Sequence, residues 1–174
     1  ILLKNIRSRY RTNINRTSRV VELFILDKIF FEKKLFNKYI DLYYQVKGLK
    51  RSIEAFKLDE FAVKNGFESI LLCEYNNELI AAIAIHTYQK KARYNSSIQL
   101  YNVDKRIYPN HFLLKSSIDY LKKNDFELFE IGEQVSHSDL YKVSKKEENL
   151  SHFKSGWGGK LIPWMKAQKE FENV

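Results

Sequence analysis

The hydrophobic rhythm of the chain switches repeatedly between the period of a helix and that of a strand. In residues 1–20, Leu3, Ile6, Tyr10 and Ile14 recur at three- and four-residue spacing, which predicts an amphipathic helix. Residues 20–26 are β-branched and apolar and read as a strand. Asp27 is placed to cap a long helix in which Ile29, Phe30, Leu35, Phe36, Tyr39, Ile40 and Tyr43 keep helical spacing as far as Val46, with Gly48 closing it. A shorter helix follows over residues 52–65, ended by Asn65-Gly66. Residues 67–75 and 78–88 form two strands joined at Asn76-Asn77, a hairpin turn because Asn tolerates positive φ. Residues 92–101 make a third strand of this run. Pro109 suits the first turn of a helix reaching about Asn124. Residues 126–131 read as a short buried strand, 138–154 as a polar helix, and 160–164 as a last strand after the turn Gly156-Trp157-Gly158-Gly159.

The resulting order, β-α-α-β-β-β-α-β-α-β after the first helix, predicts an α/β fold with a mixed central sheet flanked by helices. At 174 residues with 44% hydrophobic positions, the chain can bury a real core as one domain. The single cysteine cannot form an internal bridge, and four scattered histidines give no metal-ligand cluster, so no metal is expected and the composition suits a reducing cytoplasm. The longest apolar run, residues 79–85, is far shorter than the roughly 20 residues of a bilayer span. No membrane insertion is expected. Because the chain begins at Ile1, a preceding domain in a longer protein is expected.

Charge is concentrated rather than spread. Residues 1–20 hold Lys4, Arg7, Arg9, Arg11, Arg16 and Arg19 with no acid, six of the nine net positive charges. Such a helix is either a solvated face with acidic partners elsewhere or an electrostatic footprint for RNA or another phosphorylated partner.

Three stretches carry a resemblance to a known family: residues 8–16, reading Ser-Arg-Tyr-Arg-Thr-Asn-Ile-Asn-Arg; Phe129-Glu130-Ile131-Gly132; and residues 150–159, where Phe153-Lys154 precede the Gly-Trp-Gly-Gly turn. Together with the order of elements, they resemble the GNAT-fold acyltransferases, and within these the FemAB-like branch of peptidyl and aminoacyl transferases. The resemblance implies a single GNAT-like domain over residues 1–174, a tandem partner domain, and transfer of an acyl or aminoacyl group from an acyl-CoA thioester or an aminoacyl-tRNA to an amine. It also implies that Phe153 and Lys154 contact the donor, and that Arg11 has a matching arginine in many relatives.

The residues can be read for the same chemistry. Acyl transfer to an amine passes through a tetrahedral species with an oxyanion, which a preorganised cation or N–H donor stabilises. Lys154, before a glycine-rich turn in which Gly156 and Gly158 leave the backbone open, is the first candidate; its plainer role is to favour a helix C-terminus. Phe153 and Trp157 would shape a donor channel or simply fill the core. Glu130, inside a strand expected to be covered on both faces, would be poorly solvated and could take a proton from the attacking amine. Glu133 and Gln134 follow at the strand's carboxyl end, where open α/β sheets bind ligands. Tyr94 and Asn95 are weaker substrate-binding candidates. The phosphate turn of acetyl-CoA-dependent relatives corresponds here to residues 106–111: Arg106 is retained, neither glycine is, and Pro109 removes an N–H beside Asn110.

Several other patterns carry nothing. Ser151-His152-Phe153-Lys154 fits S-x-x-K without its companion motifs, and Gly158-Gly159-Lys160 lacks P-loop spacing. His86 and Cys73 read as packed strand residues. The sequence therefore supports an N-acyltransferase; the alternative is a non-catalytic GNAT-like module that binds RNA or an acidic partner through its arginine-rich helix.

Overall fold

The computed structural model describes residues 5–135 and 142–163. Helix α1 (Ser8–Thr17) buries Tyr10, Asn13, Ile14 and Thr17, the stripe expected from the three- and four-residue spacing. Strand β1 is Glu22–Leu26. Asp27 does not begin a helix: its carboxylate accepts the N–H groups of Ile29 and Phe30 at 2.8 Å each and closes a local turn, so α2 starts later and spans Lys33–Lys47. Gly48 ends α2 at φ 67° as expected. Helix α3 (Ile53–Lys64) is capped by Ser52, whose hydroxyl accepts the Ala55 N–H at 3.3 Å.

Strands β2 (Glu68–Tyr75) and β3 (Glu78–Tyr88) form a hairpin with Asn76 and Asn77 at φ 52° and 63°, and β4 (Lys91–Gln99) continues it. Helix α4 (Pro109–Lys123) crosses over to β5 (Leu128–Glu130), and α5 (Lys145–Ser155) opens with a Ser144–Glu147 capping box. The sheet order is β1-β2-β3-β4-β5, antiparallel except for the final β4–β5 pair. Two expectations need correction. Helix α5 begins at Lys145, and residues 138–141 of the longer helix expected there lie outside the described residues. Residues 160–163 form no strand; Leu161 and Ile162 are exposed, β5 is too short an edge to extend, and Trp164 lies outside the described residues.

Each sheet face carries its own core. Leu71, Cys73, Ile83 and Ile85 point toward α4 and α1, where they meet Tyr10, Ile14, Leu113, Leu114 and Trp157. Ile70, Leu72, Ala82 and Ala84 point the other way and meet Leu35, Phe36, Tyr39, Ile40 and Phe56 of α2 and α3. Burial on both faces is why the β2 and β3 runs are nearly all apolar. Cys73 is fully buried, as its place in the pattern indicates.

The Gly-rich turn locks α5 to α1. Arg7 donates to the His152 carbonyl at 3.0 Å and to the Ser155 hydroxyl at 2.9 Å, and its own N–H donates to the Gly156 carbonyl at 3.0 Å. A Cβ on Gly156 would sit 2.3 Å from the Tyr10 ring, and one on Gly158, at φ 69°, would sit 2.4 Å from the Asn5 carbonyl oxygen. Gly159 has nothing within 4 Å of such an atom. Gly156→Ala should therefore cost about 1–3 kcal/mol by overpacking, while Gly159→Ala should be near neutral, as read from urea unfolding midpoints.

Candidate active site

The site begins with a change of parity in β4. Ile85 faces Tyr94 and Ala84 faces Ser96, so Asn95 is an extra residue, a β-bulge. Before the bulge, Tyr94 points into the α4-side core; after it, Ser97 takes that face and Tyr94 donates its hydroxyl to Ser97 Oγ at 2.7 Å. Asn95 lies toward the opposite face, near the Glu68 carboxyl. The two candidates on β4 are thus neighbours in sequence that serve opposite faces.

Beyond the bulge β4 has no parallel partner. Its ladder with β5 covers only Lys91–Leu128, Ala92–Phe129 and Arg93–Glu130, so Tyr94–Gln99 and residues 131–135 diverge and leave a gap at the carboxyl ends of both strands. Helix α5 holds the far wall. Ser151 Oγ accepts the Val135 N–H at 2.9 Å, and Lys154 Nζ donates to the Glu133 carbonyl at 2.8 Å. Gly132, at φ 86°, lets the lysine approach: a Cβ there would be 3.0 Å from Nζ. Burial pulls the Lys154 ammonium below its usual range, opposed by Glu133, reinforced by Arg93 and opposed again by Glu130. Two of its three N–H donors remain beyond that one bond. Glu133 and Gln134 are exposed on the same segment.

Glu130 differs from expectation. Strand β5 is the sheet edge, so the Glu130 side chain is 53% exposed rather than covered, and it meets Arg93 Nε at 3.6 Å. It lies beside the gap without the desolvation that a doubly covered strand would impose.

Phe153 and Trp157 face away from Lys154 into an aromatic cluster with Tyr10 and His111. His111 meets the Tyr10 ring at 4.4 Å and the Phe153 ring at 5.1 Å, both edge-on, and Trp157 is 3% exposed. Burial, with Arg9 adding to it, pushes the His111 imidazolium down to about 4, so the ring is neutral at physiological pH. This cluster packs against the first turn of α4, where a phosphate would sit. That turn is already engaged: the Tyr108 N–H donates to Thr17 Oγ1 at 2.9 Å, Pro109 has none, and His111 and Phe112 donate to the Tyr108 carbonyl at 3.1 Å. Arg106 is exposed and committed to Asp104, with Nη2–Oδ2 at 2.8 Å. Asn110 Oδ1 is buried with no hydrogen-bond partner. Arg11 is half-buried on α1. A diphosphate such as that of CoA would find few open N–H groups at this turn, since Pro109 has none and those of Tyr108, His111 and Phe112 are already bonded.

The α2/α3 face carries a group that the sequence reading passed over. Across the sheet the register sets Glu68, His86, Arg93 and Glu130 side by side. Glu68 is 2% exposed, and burial, with the Asp59 charge adding to it, raises its carboxyl to about 7 against the bond from Asn95 and the charge of Arg51. Arg51 holds Asp59 at 2.6 Å and lies 4.8 Å over the Phe56 ring. His86, expected to be packed, has a side chain 58% exposed with Nε2 3.8 Å from Glu68 Oε1. The signal was present in the sequence: Glu68 opens, and His86 nearly closes, a pair of otherwise apolar runs. A hollow of about 550 Å³ lies at the opposite sheet edge between β1 and α4, lined by Leu23, Ile25 and Phe30 with Asp27, Asp119, Tyr120 and Lys123, where Asp27 already accepts the Tyr120 hydroxyl at 2.8 Å.

No family model matches the chain, and no curated protein does. Solved structures do. FemX superposes with a TM-score of 0.65 at 12% identity over 90% of this chain and 55% of its own. An aminoglycoside acetyltransferase from an uncultured soil metagenomic sample, solved with sisomicin, gives 0.59 at 12% identity over 87% and 99%. The C-terminal domain of a putative lysylphosphatidylglycerol synthetase from Agrobacterium fabrum gives 0.61 at 11% identity over 88% and 51%. The chain thus has the GNAT-type acyltransferase fold, shared by acetyltransferases and Fem-type transferases, and spans about half the length of FemX and of the synthetase domain.

Two buried groups make opposite contributions to stability as pH changes. Glu68, raised from 4.5 to about 7, holds its proton more tightly folded than unfolded, so its contribution is present below pH 4.5 and is lost as pH rises through 7. His111, lowered from 6.5 to about 4, resists protonation when folded, so its contribution is present above pH 6.5 and is lost as pH falls toward 4. The native protein should show a shallow pH profile of unfolding free energy over this range. Glu68→Gln should leave stability rising with pH, and His111→Phe should leave it falling by roughly 3 kcal/mol between pH 4.5 and 8. Urea titrations at several pH values read both slopes.

Proposed function

We propose that this domain is an N-acyltransferase that moves an aminoacyl group from an aminoacyl-tRNA ester to an amine acceptor. The observation that carries this reading is the gap between β4 and residues 131–135 with the Lys154 ammonium held at its mouth. A donor carbonyl lodged there would have a fixed cation beside the oxygen on which charge develops. Lys154 is the oxyanion stabiliser, Glu133 and Glu130 set its field, and Gly132 lets it stand close to the backbone. Phe153, Trp157 and Tyr10 form the wall on which α5 is seated, fixing Lys154 from behind.

The choice of an ester on RNA over an acyl-CoA thioester rests on the engaged α4 turn. A polyanionic RNA can instead be gripped on the surface, and Arg9, Arg16 and Arg19 of the α1 region are exposed for it, whereas Arg7 serves the α1–α5 joint. The same arginines favour the second reading, a non-catalytic RNA-binding module, and transfer kinetics separate the two. Lys154→Ala should lower aminoacyl transfer by about 100- to 1000-fold, the range for loss of one oxyanion donor, with tRNA affinity unchanged. Calorimetric titration should show no saturable acetyl-CoA binding and tRNA binding that weakens steeply from 50 to 200 mM salt. Salt-sensitive tRNA binding with no transfer by the native protein would favour the module. Saturable acetyl-CoA binding would return the thioester donor.

A further inference from the structure

We propose that His86 and Glu68 together form the proton acceptor for the attacking amine, the exposed imidazole taking the proton and the buried carboxylate holding the ring. The proposal rests on the transferase reading and adds the base that it needs. An amine attacks only as the free base, so an ammonium acceptor must first lose a proton near the donor carbonyl. Glu130, the sequence-level candidate, is occupied by Arg93 and shares the solvent of the sheet edge. His86 is better placed. It lies on β3 opposite Arg93, the last β4 residue paired with β5, one strand spacing of about 4.8 Å across from where the unpaired half of β4 begins, and its side chain is 58% exposed.

The groups around this pair support the assignment. Glu68 Oε1 from β2 lies 3.8 Å from Nε2, beyond a hydrogen bond but close enough for the ionised carboxylate to favour the tautomer with its proton on Nε2, which leaves the Nδ1 lone pair available. The Glu68 carboxyl has Asn95 of the β4 bulge near it and faces Arg51, Asp59 and Tyr39 from the α2/α3 side. Arg51 is bonded to Asp59 and reaches Glu68 only through its charge. Arg93 stands opposite His86 and is drawn toward Glu130 on its far side. In the step itself the ammonium N–H breaks to His86 Nδ1, and the freed nitrogen forms the C–N bond at the donor carbonyl. The ester C–O bond then breaks, and the leaving ribose hydroxyl takes the second nitrogen proton. His86, more than half exposed, returns its proton to water.

Two measurements test this on the intact chain. Nitrogen-15 spectra of the His86 ring should show the neutral ring protonated on Nε2 in the native protein and should lose that preference in Glu68→Gln; an unchanged tautomer overturns the pairing without touching the transferase reading. Transfer from bulk aminoacyl-tRNA is then followed with two probe amines. At about pH 7.5, where Glu68 is ionised, glycinamide is still mostly protonated, whereas hydroxylamine is unprotonated and needs less help from a base. His86→Gln should lower transfer to glycinamide by about 100-fold at that pH and flatten its acid limb, with transfer to hydroxylamine reduced less than threefold. Equal losses on both amines would mean a structural role and overturn the proposal. Transfer to neither amine by the native protein, with tautomer coupling intact, would overturn the transferase reading and the base with it.

Discussion

The single extra residue at Asn95 organises the rest of the site. A strand without it would keep one parity along its length, placing Tyr94 and Ser96 on the same face. With it, Tyr94 joins the α4-side core, Asn95 reaches Glu68 on the α2/α3 side, and Ile98 falls into the second core. The same irregularity lies where β4 loses β5. Ladder pairing stops at Arg93, and the backbone after it is free to border a gap. One bulge therefore sets the position of the opening and the orientation of the polar groups on each side of it.

The sheet tolerates this because its centre is overdetermined. Strands β2 and β3 are covered on both faces by apolar side chains, and that burial fixes their register strongly enough to hold a carboxylate at position 68 in a poorly solvated place. Glu68 has the nearby Asn95, an imidazole at 3.8 Å and a neighbouring ion pair to offset its lost hydration. A hydrophobic residue there would make a more stable sheet, so the carboxylate stands out as a feature retained at a cost in stability.

Much of this was legible in the residues, and the failures have physical causes. Element order and the two-sided strands followed from periodicity, since a run buried on both faces has little freedom to be anything else. Asp27 misled because Asx turns and helix caps use the same bond, from a carboxylate to N–H groups two or three residues on. Glu130 misled because an apolar run does not reveal whether its strand lies at the centre or the edge of the sheet. The glycines before Lys160 were read as open backbone, yet Gly156 and Gly158 exist to admit Tyr10 and Asn5, and only Gly132 serves the lysine. His86 reads as a packed strand residue, and its link to Glu68 is invisible along the chain, for a simpler reason. Their partnership is a cross-strand pair eighteen positions apart, and only the register of the hairpin brings it together.

The two faces of the sheet thus carry different duties. On the α4 face, Thr17, Tyr108 and the aromatic cluster close the helix terminus that would otherwise attract phosphate, and they do so with bonds and rings that also seat α1 and α5. Under the proposed reading, the donor is held by its reacting end in the gap and by its more distant parts on the basic surface. On the α2/α3 face the row from Glu68 to Glu130 alternates acid, imidazole, guanidinium and acid, a polar floor that can receive an ammonium without burying an unpaired charge. Lys154 stands at the end of that floor, past Glu130, where the two faces meet. A carbonyl arriving through the gap and an amine arriving along the floor would converge beside it. Under the proposed chemistry, that meeting of two separately built surfaces is what the bulge makes geometrically available.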